Sequence, residues 1–168
     1  MKKLILSLSF VAIAALSASA QKEKKESDAK KVTFSVAADL GIPVGDLSPF
    51  SSFVYGGDVQ VEFAAASNFG VTVSAGYLGF AAKSGFTITG GLVPLLAGGR
   101  YYFSPKVYGS AQVGMSFSTV SGGGSAFTYA PGVGFKLGEK FDLLVKYQSA
   151  SKNGGDNSFV GVRAGINF

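Results

Sequence analysis

From Val32 to Phe168 apolar side chains recur at every second position, and the positions between them collect the ionic ones. A period of two marks extended backbone, because successive side chains of a strand point to opposite faces. No stretch of helical length carries an i, i+3, i+4 apolar stripe. The pattern therefore predicts an all-β chain, and it recurs eight times.

In strand one Val32, Phe34, Val36, Ala38, Leu40 and Ile42 share a face opposite Ser35 and Asp39. Strand two sets Tyr55, Val59, Val61 and Phe63 against Asp58, Gln60 and Glu62, and strand three sets Phe69, Val71, Val73, Ala75 and Tyr77 against Thr72 and Ser74. In strand four Val93, Leu95, Ala97, Tyr101 and Phe103 oppose Leu96, Arg100 and Tyr102. Pro94 lies inside that run, and a missing N–H predicts an edge or a bulge there. Strand five opposes Val107, Ala111, Val113, Met115 and Phe117 to Tyr108, Ser110, Gln112 and Ser116. The last three place Phe127, Tyr129, Val133, Phe135 and Leu137 against Thr128 and Lys136. They also place Phe141, Leu143, Val145 and Tyr147 against Asp142, Lys146 and Gln148, and Val160, Val162, Ala164, Ile166 and Phe168 against Arg163 and Asn167.

The cargo of the second face decides which way the barrel is turned. A soluble barrel fills its interior with apolar side chains. Here Asp39, Asp58, Glu62, Arg100, Lys136, Asp142, Lys146 and Arg163 share one face, which suits a lumen enclosed by lipid, where charges can pair. Alternating segments of about ten residues are the signature of a transmembrane barrel. The expected fold is an eight-stranded antiparallel up-and-down transmembrane β-barrel over residues 32–168.

The connections alternate in length. Residues 65–68, 104–106 and 138–140 form tight turns, whereas 43–54, 81–91, 119–126 and 150–157 are longer and rich in Gly and Ser. Short turns belong to the periplasmic side, which puts both ends of the barrel there. The register also sorts the outward aromatics into two belts. Phe34, Phe63, Phe69, Tyr101, Phe103, Phe135, Phe141 and Phe168 fall near one end; Tyr55, Tyr77, Phe117, Phe127, Tyr129 and Tyr147 fall near the other. Such rings favour membrane–water interfaces.

Ahead of the barrel, Lys2 and Lys3 precede an apolar run from Leu4 to about Leu16 and then Ala18-Ser19-Ala20. This reads as a signal peptide over residues 1–20, too short for a spanning helix. Residues 21–31 read as a charged periplasmic tail. Their five lysines face Glu23, Glu26 and Asp28, so much of the formal charge of +5 lies before the barrel. The barrel itself is nearly neutral, which removes the case for nucleic acid.

The terminal Gly165-Ile166-Asn167-Phe168 and the strand end from Leu95 to Phe103 resemble the small outer-membrane β-barrel domain family. That group includes the eight-stranded outer-membrane protein A and X types of Gram-negative bacteria. The resemblance covers residues 32–168. It implies an outer-membrane location, contact with lipid and lipopolysaccharide, and recognition of Phe168 by the barrel-assembly machinery.

Chemistry is sparse. With no histidine, a Ser-His or Asp-His hydrolase lacks its base, and with no cysteine there are no disulfides and no His/Cys zinc sites. The run Gly132 to Gly138 misses a dinucleotide fingerprint by one residue and is not followed by a helix, so it reads as a strand with small inward residues. Ser121 to Ser125 lacks the lysine of a phosphate loop, and Asn153 to Asn157 offers one carboxylate, too few for calcium. The expectation is a non-enzymatic monomer without cofactors, having a structural or surface-interaction role. Acids on strands one and two would pair across the lumen with Arg100, Lys136, Lys146 and Arg163 and plug it. The alternative is a porin-like narrow channel or a conduit for small molecules.

Overall fold

The structure, a computed structural model, describes residues 32–152 and 154–168. The expected signal peptide and periplasmic tail lie outside the described residues.

Eight antiparallel strands close into one up-and-down barrel, each pairing with its neighbours in sequence and β1 pairing with β8. They are β1 (Val32–Val44), β2 (Ser51–Ala66), β3 (Phe69–Ala82), β4 (Gly91–Tyr102), β5 (Val107–Ser118), β6 (Ser125–Leu137), β7 (Phe141–Lys152) and β8 (Gly155–Asn167). A single-turn 3-10 helix, Gly45–Leu47, follows β1. Closure leaves no sheet edge, so every strand finds its backbone partners within the chain, as a lipid environment demands. The last seam is finished by the terminal residue itself. Phe168 N–H donates to the Phe34 carbonyl at 2.8 Å, and Phe34 N–H donates to the Phe168 carbonyl at 3.4 Å.

The alternation read from the sequence is the alternation observed. Along β1, Phe34, Val36, Leu40 and Ile42 are exposed on the outer wall, whereas Ser35, Asp39 and Gly41 are buried in the lumen. The same inside-and-outside order holds on the other strands, and the two aromatic belts lie outward, with Tyr147 half-buried. An apolar outer wall against a charged lumen is stable only when the surrounding medium is apolar.

Two expectations are corrected. Pro94 marks neither an edge nor a bulge. It sits inside the closed sheet, opposite Ser116 in an unbroken β4–β5 ladder. The β3–β4 ladder instead skips from Ala75–Leu95 to Leu78–Leu92 without changing register, because Pro94 has no N–H to give toward Gly76. Pro131 opens an equal gap between β6 and β7, where pairing passes from Tyr129–Ser149 to Gly132–Lys146. The second correction concerns residues 150–157, expected as a long loop. β7 and β8 remain paired up to Lys152–Gly155, and Gly154 turns the chain with φ +85°. Gly, Ser and Asn resemble a loop by composition, yet here they are the last rungs of a hairpin.

The other connections are residues 45–50, 83–90 and 119–124 at one end, and 67–68, 103–106 and 138–140 at the other. By the rule that periplasmic turns are short, the second end faces the periplasm.

Candidate functional site

An eight-stranded barrel is just wide enough for its own side chains to fill. What fills this one is sorted by height. Toward the periplasm lies an ionic tier; toward the external end lies an apolar one.

The ionic tier is built around Asp142 of β7, which is 1% exposed. Arg100 of β4 places Nη1 3.0 Å from Asp142 Oδ2, and Arg163 of β8 places Nη1 3.4 Å from Oδ1. Tyr108 of β5 donates its hydroxyl to Oδ2 at 2.7 Å. Each arginine also holds a second carboxylate, both from β2. Arg163 clasps Asp58 through two nitrogens, with Nε 2.8 Å from Oδ2 and Nη2 2.8 Å from Oδ1, and Nη2 also donates to Ser35 Oγ at 2.9 Å. Arg100 Nη1 lies 3.2 Å from Glu62 Oε2, and Tyr102 donates to Glu62 Oε1 at 2.6 Å. Two-nitrogen contacts of the Asp58 kind fix direction as well as charge.

Both guanidinium groups are thus wedged between a β2 carboxylate and the β7 carboxylate. The Arg100 guanidinium also lies over the Tyr108 ring, 4.5 Å from its centroid. Two of its nitrogens, Nε and Nη2, have no hydrogen-bond partner among the described residues, so the ring face is an added electrostatic partner for the cation. A separate pair, Lys146 Nζ to Asp39 Oδ1 at 2.8 Å, ties β7 to β1. β3 joins through neutral groups, Gln112 Nε2 of β5 donating to Thr72 Oγ1 at 3.1 Å and Ser74 Oγ at 3.2 Å.

Small residues make room for this crowd. A Cβ at Gly134 would come within 2.0 Å of the Tyr108 ring, and one at Gly165 within 2.3 Å of Asp142 Oδ1. Gly134 belongs to the near-fingerprint run of β6, so the small inward residue read there from sequence is the seat of a tyrosine ring.

Seven of the eight lumen charges singled out by sequence are therefore paired with one another: Asp39, Asp58, Glu62, Arg100, Asp142, Lys146 and Arg163. Lys136 departs from expectation. Its Nζ sits 4.4 Å from the Tyr102 ring centroid, near the periplasmic mouth, and makes no ion pair among the described residues. It stands opposite Asp142 in the β6–β7 ladder and shares the mouth with Glu62, but those carboxylates are taken by Arg100, Arg163, Tyr102 and Tyr108. The mouth itself is a recess of about 730 Å³ whose lining includes Glu62, Tyr102, Lys136 and Lys140.

The apolar tier went unread in the sequence. Val54, Leu78, Leu92, Ala126, Ala150 and Phe159 point inward at the external end and pack into one cluster, capped by Leu47 from the 3-10 helix. Val54 is fully buried, and Leu78 and Phe159 are 2% exposed. A signal existed: alternation fails at Tyr77-Leu78, Leu92-Val93 and Phe159-Val160, where neighbouring residues are both apolar.

Residues 8–168 match the family described as outer membrane protein beta-barrel domain. No curated protein matches the sequence. Among solved structures, the chain is similar to the outer membrane protein Ail of Yersinia pestis in a phospholipid bilayer nanodisc. That match has 15% identity and a TM-score of 0.60, and covers 83% of this chain and 99% of Ail. It is similar also to the N-terminal β-barrel domain of Pseudomonas aeruginosa OprF, with 12% identity and a TM-score of 0.53 over 81% of this chain and 97% of that domain. Neisserial surface protein A matches with 9% identity and a TM-score of 0.52, over 83% of this chain and 100% of its own. At such identities the likeness carries the fold alone.

Proposed function

Because the chain belongs to the outer membrane protein β-barrel domain family, we propose that it serves the outer membrane as a non-enzymatic barrel, shut by its own side chains, in a structural or surface-interaction role. The observation that supports this most is the double grip on Asp142. Arg100 and Arg163 reach it from β4 and β8 while each holds a β2 carboxylate, so the guanidinium groups span the lumen. Ions crossing such a tier must part pairs that are buried and short, at a cost of several kcal/mol per uncompensated charge. Above it the Val54–Leu78–Leu92–Phe159 cluster adds apolar filling to the external end of the lumen.

Conductance across a planar bilayer tests the reading. Purified, folded protein is expected to be silent. Steady openings of reproducible size would replace this reading with a narrow channel.

The same proposal carries its surroundings. The outer wall contacts membrane lipid and lipopolysaccharide, and the barrel acts as a monomer. The C-terminal strand, ending in Phe168, is the part presented to the barrel-assembly machinery. The chain is exported through a signal peptide cleaved after Ala20, which the mass of the mature N-terminus reads out.

A further inference from the structure

Two prolines break the ladders of this barrel in the same way, and side chains of the lumen brace only one of the breaks. Pro94 gives no N–H toward Gly76 between β3 and β4. Pro131, opposite Tyr147 in the β6–β7 register, gives none to the Tyr147 carbonyl.

The β3–β4 break is strapped from inside. Gln112 of β5 reaches over β4 to Thr72 and Ser74 of β3, at 3.1 and 3.2 Å, so this strap ends two residues from Gly76. Glu62 of β2 reaches over β3 to Arg100 and Tyr102 of β4. Parting β3 from β4 must break both straps.

Across β6–β7 the straps stand only toward the ends. Tyr108 of β5 and Arg100 of β4 hold Asp142, six residues or about 20 Å of strand from Gln148. Near the external end Lys152 donates to the Gly123 carbonyl. Between these two places, among the described residues, no side-chain hydrogen bond or ion pair crosses the seam. On the lipid side the Tyr129 and Tyr147 rings lean together with centroids 5.9 Å apart. Beside them the wall is hollowed into a groove of about 810 Å³ whose lining includes Gly109, Ala111, Pro131 and Tyr147.

The same rung leaves a polar group unmet in the lumen. Gln148 is 2% exposed, and its Nε2 has no hydrogen-bond partner among the described residues. Ala130, opposite it by the register, has only a methyl to offer. Water entering here gains the Tyr147 carbonyl and the Gln148 amide, which offsets part of the cost of separating the strands.

We propose that the β6–β7 seam is where this barrel opens locally. The two strands part around Pro131 and Gln148 and let water into the wall, while the β3–β4 break stays closed under its straps. This goes beyond the shut lumen: the Asp142 tier blocks the axis whether or not the seam is parted.

Amide hydrogen exchange of the full mature chain in phosphatidylcholine nanodiscs tests it. Tyr147 and Gly76 each face a proline, so their backbone losses match, and the comparison in wild type needs no variant to fold. After correction for intrinsic rates, the protection factor at Tyr147 is expected to be roughly tenfold below that at Gly76. Q112L, which cuts the strap over β3–β4, should bring Gly76 down toward Tyr147. The chain has no cysteine of its own, so A130C/Q148C can be stapled across the gap. Oxidation should raise Tyr147 protection roughly tenfold over the reduced form of the same variant, and leave Gly76 unmoved.

Equal protection at Tyr147 and Gly76 in wild type overturns the proposal, as does a formed staple that leaves Tyr147 exchange unchanged. Gly76 protection that survives Q112L overturns the strap as the cause of the difference.

Discussion

Tyr108 donates a hydrogen bond from its hydroxyl to Asp142 Oδ2 at 2.7 Å, in a part of the lumen where both side chains are essentially out of solvent. A neutral donor therefore completes a carboxylate that two arginines already hold. Removing only the hydroxyl, with Y108F, deletes a hydrogen bond to a charged group and is expected to cost about 1.5–3 kcal/mol. Urea unfolding from lipid vesicles, followed by tryptic protection, measures it. A cost near zero would mean that Asp142 is satisfied by the arginines alone.

D142A goes further. It leaves Arg100 with Glu62 and Arg163 with Asp58, so two positive groups face one emptied position. Breaking a buried ionic group by removing one member costs about 3–5 kcal/mol. The variant should lose its folded band on a cold detergent gel at a visibly lower temperature than wild type. An unaltered transition would show that water fills the position without penalty.

Lys146 and Asp39 form an ion pair with each other and with no other charge among the described residues, and they give the contrasting expectation. K146M alone strands a buried carboxylate and destabilises. K146M/D39N removes both charges and should recover most of the loss, since a buried pair adds little over neutral groups of like size. A double-mutant cycle in the same unfolding assay reads the difference. If the double variant is as unstable as the single one, the pair is tied into the Asp142 tier more closely than the geometry shows.

Much of this was open to reading in the chain, and the rest was hidden for a physical reason. Whether a residue points in or out follows from parity along its own strand, so Asp142, Arg100 and Arg163 could each be assigned to the lumen. Which of them meet depends on strand tilt and stagger around a closed sheet, and no single strand records that. Hence Asp142 was expected as one lumen charge among eight, and Lys136 was expected to pair, although it ends over Tyr102. Leu78, Leu92 and Phe159 were missed because parity marks them as inward while their chemistry marks them as outward. At the end of a narrow barrel, away from the ions, apolar filling wins.

Gly134 links packing to the ionic tier. A Cβ there would meet the Tyr108 ring at 2.0 Å, and the ring lies beneath the Arg100 guanidinium. G134A must push the ring aside, which is the overpacking case and costs about 1–3 kcal/mol. The displaced ring also loses its grip on Asp142, so the effect should overlap with that of Y108F rather than add to it. In the double variant G134A/Y108A the clash vanishes with the ring, and the added methyl should then cost nothing beyond Y108A. Unfolding free energies of the four proteins decide the matter. If G134A destabilises equally with and without the tyrosine ring, the glycine serves the β6 backbone, and its role as the seat of Tyr108 is wrong.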